Sequence, residues 1–318
     1  MTEFAYALSS EEHDARTLVA TAQRAEQAGF RSVWISDHFH PWIDRQGESP
    51  FVWSVIGGIA ATTELTVTTG VTCPTMRIHP AILAQATATC SNLLPEGRFR
   101  FGVGTGEALN EHILGDRWPP ADLRLSMLEE AVDLIRRLWS GEQVTHRGEH
   151  YTVENARIYT TPSSEIPIVI SAFGPMALVV AAEHGDGWMT TGPDADMLRQ
   201  YRDAGGKGRT YGAIKACWGE DEGTARKLAH EIWPTSGVPG QLSQDLPTPT
   251  HFEQAAANVT VEQATEGTPC GPDPDRYVEA FRPFADAGFD EVAITQIGTD
   301  QEGFFQFYER ELRDRLAT

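Results

Sequence analysis

Two stretches of the sequence place ionisable side chains directly after short apolar runs. Residues 36–42 read Ser-Asp-His-Phe-His-Pro-Trp, and residues 104–111 read Gly-Thr-Gly-Glu-Ala-Leu-Asn-Glu. Because histidine as a residue type titrates near neutral pH, His38 is a candidate base, and Glu107 is a candidate acid. The two stretches therefore indicate acid–base chemistry. Two alternatives stay open: His38 as an ordinary polar loop residue, and Glu107 as a helix N-terminal charge.

The sequence predicts neither a metal centre nor a disulfide framework. His38 and His40 supply two imidazoles, but no third ligand is found at a metal-binding spacing. The four cysteines (73, 90, 217 and 270) are scattered, with no close pair. We interpret them as reduced thiols of a cytoplasmic protein.

Glycines follow two other apolar runs and predict close backbone approach to a ligand. Gly70 follows a β-branched run, where the alternative is a plain turn, and the glycines of residues 102–106 favour backbone lying against a flat ring or a phosphate. The pattern G-x-G-x-G only approaches a dinucleotide fingerprint, and a helical stretch follows where that motif needs a second strand, so we reject it. Residues 171–176 precede another predicted helix, whose first amides favour an anion.

The elements that must position these residues alternate between strands and helices. We predict strands at 4–8, 32–36, 65–72, 99–104, 166–172, 187–191, 211–218 and 291–297, and helices at 11–28, 52–63, 80–94, 123–139, 274–287 and 304–316. A hairpin is predicted at 144–147 and 150–153. Eight such units predict an α/β fold, a (β/α)8 TIM barrel formed by residues 1–318 as one domain. In this fold catalytic groups gather where strands end, which matches the stretches above.

Residues 234–268 interrupt the alternation of strands and helices. They are rich in Pro, Gly, Gln and Thr and show one short helical pattern near residues 252–257. We interpret the segment as an insertion over the C-terminal mouth of the barrel. The alternative is a partly disordered excursion.

The charge balance excludes several classes of partner. Among 318 residues, 25 are basic and 45 acidic, a formal charge of 25 − 45 = −20. Nucleic acids and anionic membranes bind positive faces, so neither is expected as a partner. The N-terminus lacks the pattern of a signal peptide, and no apolar run is long enough to span a bilayer.

Together, residues 36–42, 72–75, 104–111 and 185–187 resemble the luciferase-like monooxygenase superfamily. Within it, they are most similar to the coenzyme F420-dependent glucose-6-phosphate dehydrogenase group, over nearly the whole chain and in the same order. The resemblance implies the deazaflavin coenzyme F420 as cofactor, a homodimer, and hydride transfer between the cofactor and a hydroxyl-bearing carbon.

The resemblance also implies roles for particular residues. His38 would take the hydroxyl proton, Glu107 would serve the ring as proton donor or acceptor, Trp42 would line the substrate pocket, and Glu11 would lie nearby. A cis peptide bond is expected between Gly70 and Val71. The cofactor would be held by Asp37, Gly70, Val71, Thr72, Asn110, Ala172, Phe173, Gly174, Pro175 and Met176. Arg77 and residues 207–209 are candidates for the anionic cofactor tail, the alternative being exposed solubilising charge.

The sequence departs from the group at the phosphate-binding positions. Sugar-phosphate members use two lysines and an arginine there, whereas this chain has Pro193, no lysine around residues 242–245, and Gly267. Losing charge-assisted contacts argues against glucose 6-phosphate and favours a neutral sugar, a secondary alcohol or another hydroxy compound.

Four functions are compatible with these observations. The first is an F420-dependent dehydrogenase of an alcohol or sugar, which the combination of His38, Trp42 and Glu107 favours. The second is an F420H2-dependent reductase of an enone, imine or nitro compound. The third is an FMN-dependent monooxygenase, and the fourth is a barrel that only binds its cofactor.

Overall fold

The computed structural model describes residues 2–316 and contains ten strands within them. Eight parallel strands close a barrel and the other two form an antiparallel hairpin. The bounds are β1 Glu3–Leu8, β2 Ser32–Ile35, β3 Thr66–Thr69, β4 Phe99–Val103, β5 Val144–Arg147, β6 Thr152–Ala156, β7 Ile168–Ser171, β8 Gly187–Thr190, β9 Arg209–Ala216 and β10 Glu291–Gln296. The order around the barrel is β1-β10-β9-β8-β7-β4-β3-β2, which confirms the predicted (β/α)8 barrel.

Helices follow most barrel strands and cover the outer wall. Their bounds are α1 Ala15–Gln27, α2 Val52–Ala60, α3 Pro80–Leu93, α4 Ala108–Glu111, α5 Ala121–Trp139, α6 Pro175–His184, α7 Ala195–Asp203, α8 Glu222–Ile232, α9 Leu242–Asp245, α10 Pro249–Ala256, α11 Val261–Ala264, α12 Pro274–Ala287, α13 Gln301–Phe307 and α14 Arg313–Leu316. Short 3-10 turns span His112–Leu114 and Pro234–Gly237, and a π-helical turn spans Tyr308–Leu312. The predicted helix over 304–316 is therefore divided into three pieces. No helix within residues 2–316 is long and apolar enough to cross a bilayer.

The barrel has two separate apolar regions, because alternate residues of each strand point inward and outward. A large core fills the space between strands and helices. A smaller cluster lies inside the barrel and includes Trp34, Met189 and Tyr211. Inward-pointing residues near the strand C-termini therefore form the floor of the mouth.

A buried ion pair closes the opposite end of the barrel. Arg100 in β4 donates to Glu291 Oε2 at 2.8 Å, and Trp34 Nε1 donates to Glu291 Oε1 at 2.8 Å. The Arg100 guanidinium also lies 5.5 Å from the centroid of the Tyr211 ring. Each charged oxygen thus has a donor, as a charge in low dielectric requires.

The first helix begins later than the sequence predicts. Asp14 caps α1 by accepting hydrogen bonds from the N–H groups of Arg16 and Thr17 at 2.8 and 2.9 Å. Residues 11–13 therefore form a turn outside the helix, and the predicted helix start at residue 11 is wrong. Because an N-cap side chain replaces the missing intrahelical acceptor, the chain can leave the helix here. This turn directs Glu11 to the mouth.

The segment 234–268 is more ordered than the single predicted helical piece. It contains the turn at Pro234–Gly237 and the helices α9, α10 and α11. Phe252 of α10 is fully buried against Ile43 and Leu109. Arg124 of α5 donates to Gln244 of α9 at 2.7 Å. These contacts fix the segment to loops at the C-terminal end of the barrel, where the insertion is predicted.

Candidate active site

His38 and Glu11 meet at the mouth of the barrel. Glu11 follows β1 and His38 follows β2, and these strands are neighbours. His38 Nε2 lies 3.5 Å from Glu11 Oε1, and both side chains are almost buried. Glu11 Oε2 accepts hydrogen bonds from Ser9 at 2.9 Å and from Ser36 at 2.8 Å. The two serines hold the carboxylate in place and leave its other oxygen facing the imidazole.

Asn110 of α4 supports the loop that carries His38. Its Oδ1 accepts hydrogen bonds from the backbone N–H groups of Phe39 at 2.9 Å and His40 at 3.1 Å. Its Nδ2 lies 3.1 Å from Nδ1 of the His38 ring. The His40 carbonyl lies 3.2 Å from the same Nδ1. When the ring gains a proton, this carbonyl and Glu11 both stabilise the imidazolium.

Trp42 forms one wall beside His38. The two ring centroids are 5.1 Å apart, and the Trp42 ring meets Phe252 of the insertion at 5.1 Å, edge to face. The backbone N–H of Trp42 donates to Gln46 Oε1 at 2.8 Å, which fixes the backbone of the loop. Trp42 therefore joins the His38 loop to the insertion.

Glu107 and Glu111 flank the short helix α4. Glu107 is half-buried at the N-cap position, but its side chain accepts no capping hydrogen bond. Glu107 therefore lies at a helix N-terminus, and its interpretation as a helix N-terminal charge stays open beside that as an acid. Glu111 is buried, and burial raises its pKa to about 7 against the opposing charge of Arg77, with nearby Glu107 adding to the rise.

Asp37 is the centre of a buried network under the mouth. Its Oδ2 accepts a hydrogen bond from Thr72 at 2.7 Å, and its Oδ1 accepts one from Arg77 at 2.8 Å. The backbone N–H of Arg77 donates to Glu111 Oε2 at 2.9 Å. The sequence offered two interpretations of Arg77, a cofactor-tail contact and an exposed charge; the exposed charge is wrong, and the cofactor-tail contact stays a prediction. Its guanidinium is buried and paired, because two carboxylates from neighbouring loops converge on it.

The ends of β3 and β4 approach so closely that glycine is required. A Cβ at Gly104 would lie 3.0 Å from Val71 Cγ2, and one at Gly106, whose φ is +77°, would lie 2.6 Å from Cys73 Sγ. The peptide bond between Gly70 and Val71 is cis, as the resemblance implies. Backbone with few side chains thus forms one surface of the mouth, which fits a flat ring.

The turn after β7 contributes the remaining predicted cofactor residues. Ala172 is buried and its carbonyl accepts a hydrogen bond from Trp188 Nε1 at 3.1 Å. Gly174 precedes the ten-residue helix α6, which begins at Pro175. Phe173 and Met176 are more than half exposed beside it. Exposed apolar side chains next to free helical amides offer both apolar and anion-binding contacts.

The structure brings together a further group of residues that the sequence analysis did not single out. Lys215, Glu12 and Trp233 lie beside Glu11 at the mouth. Trp233 Nε1 donates to Glu12 Oε1 at 2.7 Å, and the N–H of Gly298 donates to Glu12 Oε2 at 2.7 Å. Burial raises the pKa of Glu12, and these two hydrogen bonds oppose the rise. The period of two along β9 is the one sequence signal that places Lys215 inside the barrel.

No group of three or more His, Cys, Asp or Glu residues in the described part of the chain is arranged to hold a metal ion. The candidate site is therefore built from an imidazole, carboxylates, an indole and glycine-rich backbone. Such a set can move protons beside an organic cofactor.

The chain belongs to the luciferase-like monooxygenase family, whose family model matches residues 1–302. The fold of the barrel and the motifs at the strand ends agree with this membership. The resemblance inferred from the sequence is thereby confirmed.

Particular relatives are similar over nearly the whole chain. An F420-dependent glucose-6-phosphate dehydrogenase from Microbacterium testaceum is 35% identical, and the match covers 98% of this chain and 97% of the relative. An F420-dependent hydroxymycolic acid dehydrogenase from Mycobacterium tuberculosis is 38% identical over 88% of this chain and 79% of its own length. A solved F420-dependent secondary alcohol dehydrogenase, in complex with an F420-acetone adduct, superposes with a TM-score of 0.90 at 29% identity, covering 98% of each chain.

Proposed function

We propose that this protein transfers a hydride between a secondary alcohol or sugar hydroxyl and coenzyme F420, with a substrate other than glucose 6-phosphate. It is an F420-dependent oxidoreductase of CH–OH groups, in keeping with relatives named for sugar-phosphate, hydroxymycolic acid and secondary alcohol substrates. The observation that supports the assignment most directly is the His38 imidazole facing Glu11 at 3.5 Å beside Trp42. That arrangement provides a base where an alcohol can enter.

The residues at the mouth fit coenzyme F420. Glycine-rich backbone at residues 70–71 and 104–106 would face the flat ring, and the turn of residues 172–176 would hold polar parts of the cofactor. Asp37 would act indirectly through Thr72, because its side chain is buried under the mouth and hydrogen-bonded to Thr72 and Arg77. When bound, the deazaflavin ring supplies a two-electron acceptor that takes a hydride.

The side chains of this protein would handle the protons. As the substrate carbon loses a hydride and becomes a carbonyl, its hydroxyl proton would pass to His38. Glu11 would stabilise the resulting imidazolium, and Ser9 and Ser36 keep that carboxylate in position. Glu107, whose side chain caps no helix, would hold a second proton near the glycine-rich surface. Trp42 and the insertion would exclude water from the substrate.

The predicted absence of a phosphate clamp supports a neutral substrate. Pro193 is exposed, Gly267 lies in a turn with φ of +70°, and α9 reads Leu-Ser-Gln-Asp. None of these positions provides a cation for a phosphate. A neutral sugar or a secondary alcohol meets this condition.

A homodimer is the assembly that we propose, through the outer faces of α2 and α3. Phe51 and Ile82 are each 58% exposed and Leu93 is 48% exposed, in a groove that is mostly apolar apart from Gln85 and Thr89. Contiguous apolar patches of this kind mark interfaces. Ile82→Glu should convert a dimer to a monomer in light scattering, whereas Leu242→Glu, an exposed apolar site on the insertion, should not.

The four buried free cysteines are in keeping with a cytoplasmic protein.

Anaerobic mixing of the protein with oxidised F420 and a panel of alcohols and sugars tests the proposed function. We expect bleaching of the cofactor band with a neutral alcohol or sugar. Efficient turnover of glucose 6-phosphate at micromolar KM would refute the substrate part. Reaction only between reduced F420 and an enone, imine or nitro compound would identify a reductase. Oxygen consumption with reduced FMN would identify a monooxygenase, and no absorbance change with any compound would leave a cofactor-binding barrel.

A further inference from the structure

Lys215 lies inside the barrel at the level of the candidate site. It is the penultimate residue of β9, and its register partner in β10 is Thr295. Ala213 and Tyr211, two and four residues earlier on the same strand, lie against or in the cluster inside the barrel. Because side chains alternate along a strand, Lys215 also points inward, near the C-terminal end. It is one of only three lysines in the sequence.

The Lys215 ammonium lies over an aromatic face and makes no hydrogen bond to a carboxylate of the described residues. Nζ lies 4.3 Å from the centroid of the Trp233 ring, a cation–π contact. The Trp233 indole is itself fixed by its hydrogen bond to Glu12. Within residues 2–316, Nζ makes no hydrogen bond or ion pair. Lys215 is only partly buried, so its three N–H donors remain accessible from the mouth.

Lys215 and His38 both interact electrostatically with the carboxylate of Glu11. Burial lowers the pKa of Lys215, and the negative charges of Glu11 and Glu12 oppose this shift. Glu11 in turn faces His38. Trp42 packs against the cluster that contains Trp233. Trp233 and Trp42 therefore connect the ammonium to the wall beside His38.

We propose that Lys215 donates a hydrogen bond to a second oxygen of the substrate, so that the enzyme selects vicinal diols or sugars over simple secondary alcohols. This proposal rests on the proposed function. The second oxygen is neutral, because the one cation is accompanied by the carboxyl groups of Glu11 and Glu12, and no positive charge is left over for an anion. The class of substrate is therefore a neutral polyhydroxy compound whose reacting hydroxyl faces His38.

The test compares 1,2-cyclohexanediol with cyclohexanol, which differ by the one hydroxyl. In the wild-type protein, kcat/KM with F420 should favour the diol. Lys215→Met should lower the ratio of the two kcat/KM values by about 10- to 100-fold, as expected for one lost hydrogen bond from a charged donor. Lys215→Gln should lower this ratio less, since glutamine retains a hydrogen-bond donor. Lys227→Met, which removes an exposed lysine, is the matched control and should retain the ratio.

Two outcomes would overturn the proposal. An equal loss for both compounds would mean that Lys215 acts only through Glu11 and His38, and an unchanged ratio would mean that it does not contact substrate. Thermal unfolding of each variant establishes that the protein is folded before these ratios are compared.

Binding of the two compounds, measured by saturation-transfer NMR on the protein without turnover, separates this proposal from the proposed function. Selective binding of the diol that Lys215→Met abolishes, without any turnover, would support the role of Lys215 and refute the dehydrogenase. Turnover with no selectivity for the diol in binding or rate would support the dehydrogenase and refute the role of Lys215.

Discussion

Glu11 and His38 show how two neighbouring strand ends produce chemistry that neither residue has alone. The imidazole faces a carboxylate at 3.5 Å, and the carboxylate is held by two serines. A base that becomes charged during the reaction needs an opposite charge already in place, since reorienting one costs free energy in every cycle. The position of Glu11 therefore determines how effective His38 is.

Replacing His38 tests the base directly. His38→Ala should lower turnover by about 10²–10⁴-fold, because the hydroxyl proton loses its acceptor. The affinity for F420, followed by fluorescence titration, should change little. His184→Ala, at the outer end of α6, is the control. Turnover that persists in His38→Ala would show that another group is the base.

The raised pKa of Glu111 predicts a pH dependence of stability. Its ordinary value of 4.5 rises to about 7 in the folded protein, so the folded state retains a proton that the unfolded state releases. The contribution to stability is fully present below about pH 4.5 and is lost as the pH rises through about 7.

Urea unfolding at pH 5 and pH 8 measures this effect. The free energy of unfolding of Glu111→Gln, taken relative to wild type, should increase between the two pH values, since the variant carries no titrating group there. Asp116→Asn, an exposed change in the loop after α4, should show no such pH dependence. Parallel behaviour of wild type and Glu111→Gln would contradict the raised pKa.

At the scale of elements, the insertion is the part that completes the site. The barrel alone presents Trp42 on a loop, and α10 covers it with Phe252. Phe252 is fully buried between this loop and the α4 region. One aromatic side chain therefore couples the insertion to the substrate wall.

Phe252→Ala should loosen that coupling. Removing a buried phenylalanine costs about 3–5 kcal/mol when the cavity does not collapse. If α10 undocks before the barrel unfolds, endoproteinase Glu-C should cleave the segment 234–268 faster, at Glu253, Glu262 or Glu266, and the KM for the alcohol should rise more than the Kd for F420. Phe252→Leu, which retains most of the volume, should show smaller changes. Equal effects on alcohol and cofactor would place the insertion over the cofactor as well.

At the scale of the whole molecule, the barrel separates stability from function at its two ends. The glycine-rich surface and His38 lie at the C-terminal mouth, whereas Arg100 and Glu291 close the other end. A buried charge without its partner is costly, but replacing both partners is often nearly neutral.

This separation can be measured. Arg100→Met should lower the free energy of unfolding by about 3–5 kcal/mol, because Glu291 is left unpaired, and Arg100→Met with Glu291→Gln should recover much of the loss. Urea unfolding measures both. Activity per folded molecule should be retained in the double variant, and its loss would mean that the two ends are coupled.

The sequence by itself determined the barrel, the order of its strands along the chain, and the ionisable and glycine-rich stretches that follow strands two and four. Hydrophobic periodicity and turn residues are local signals, so they can be read from the sequence. It also placed His38, Trp42 and Glu107 at strand ends. Only the tertiary structure decided that Glu11 lies outside α1, that Arg77 is buried between two carboxylates, and that Lys215 faces Trp233 without an acceptor. These facts depend on contacts between strands and loops far apart in the chain. No pattern along a single segment encodes which distant partners satisfy a buried charge.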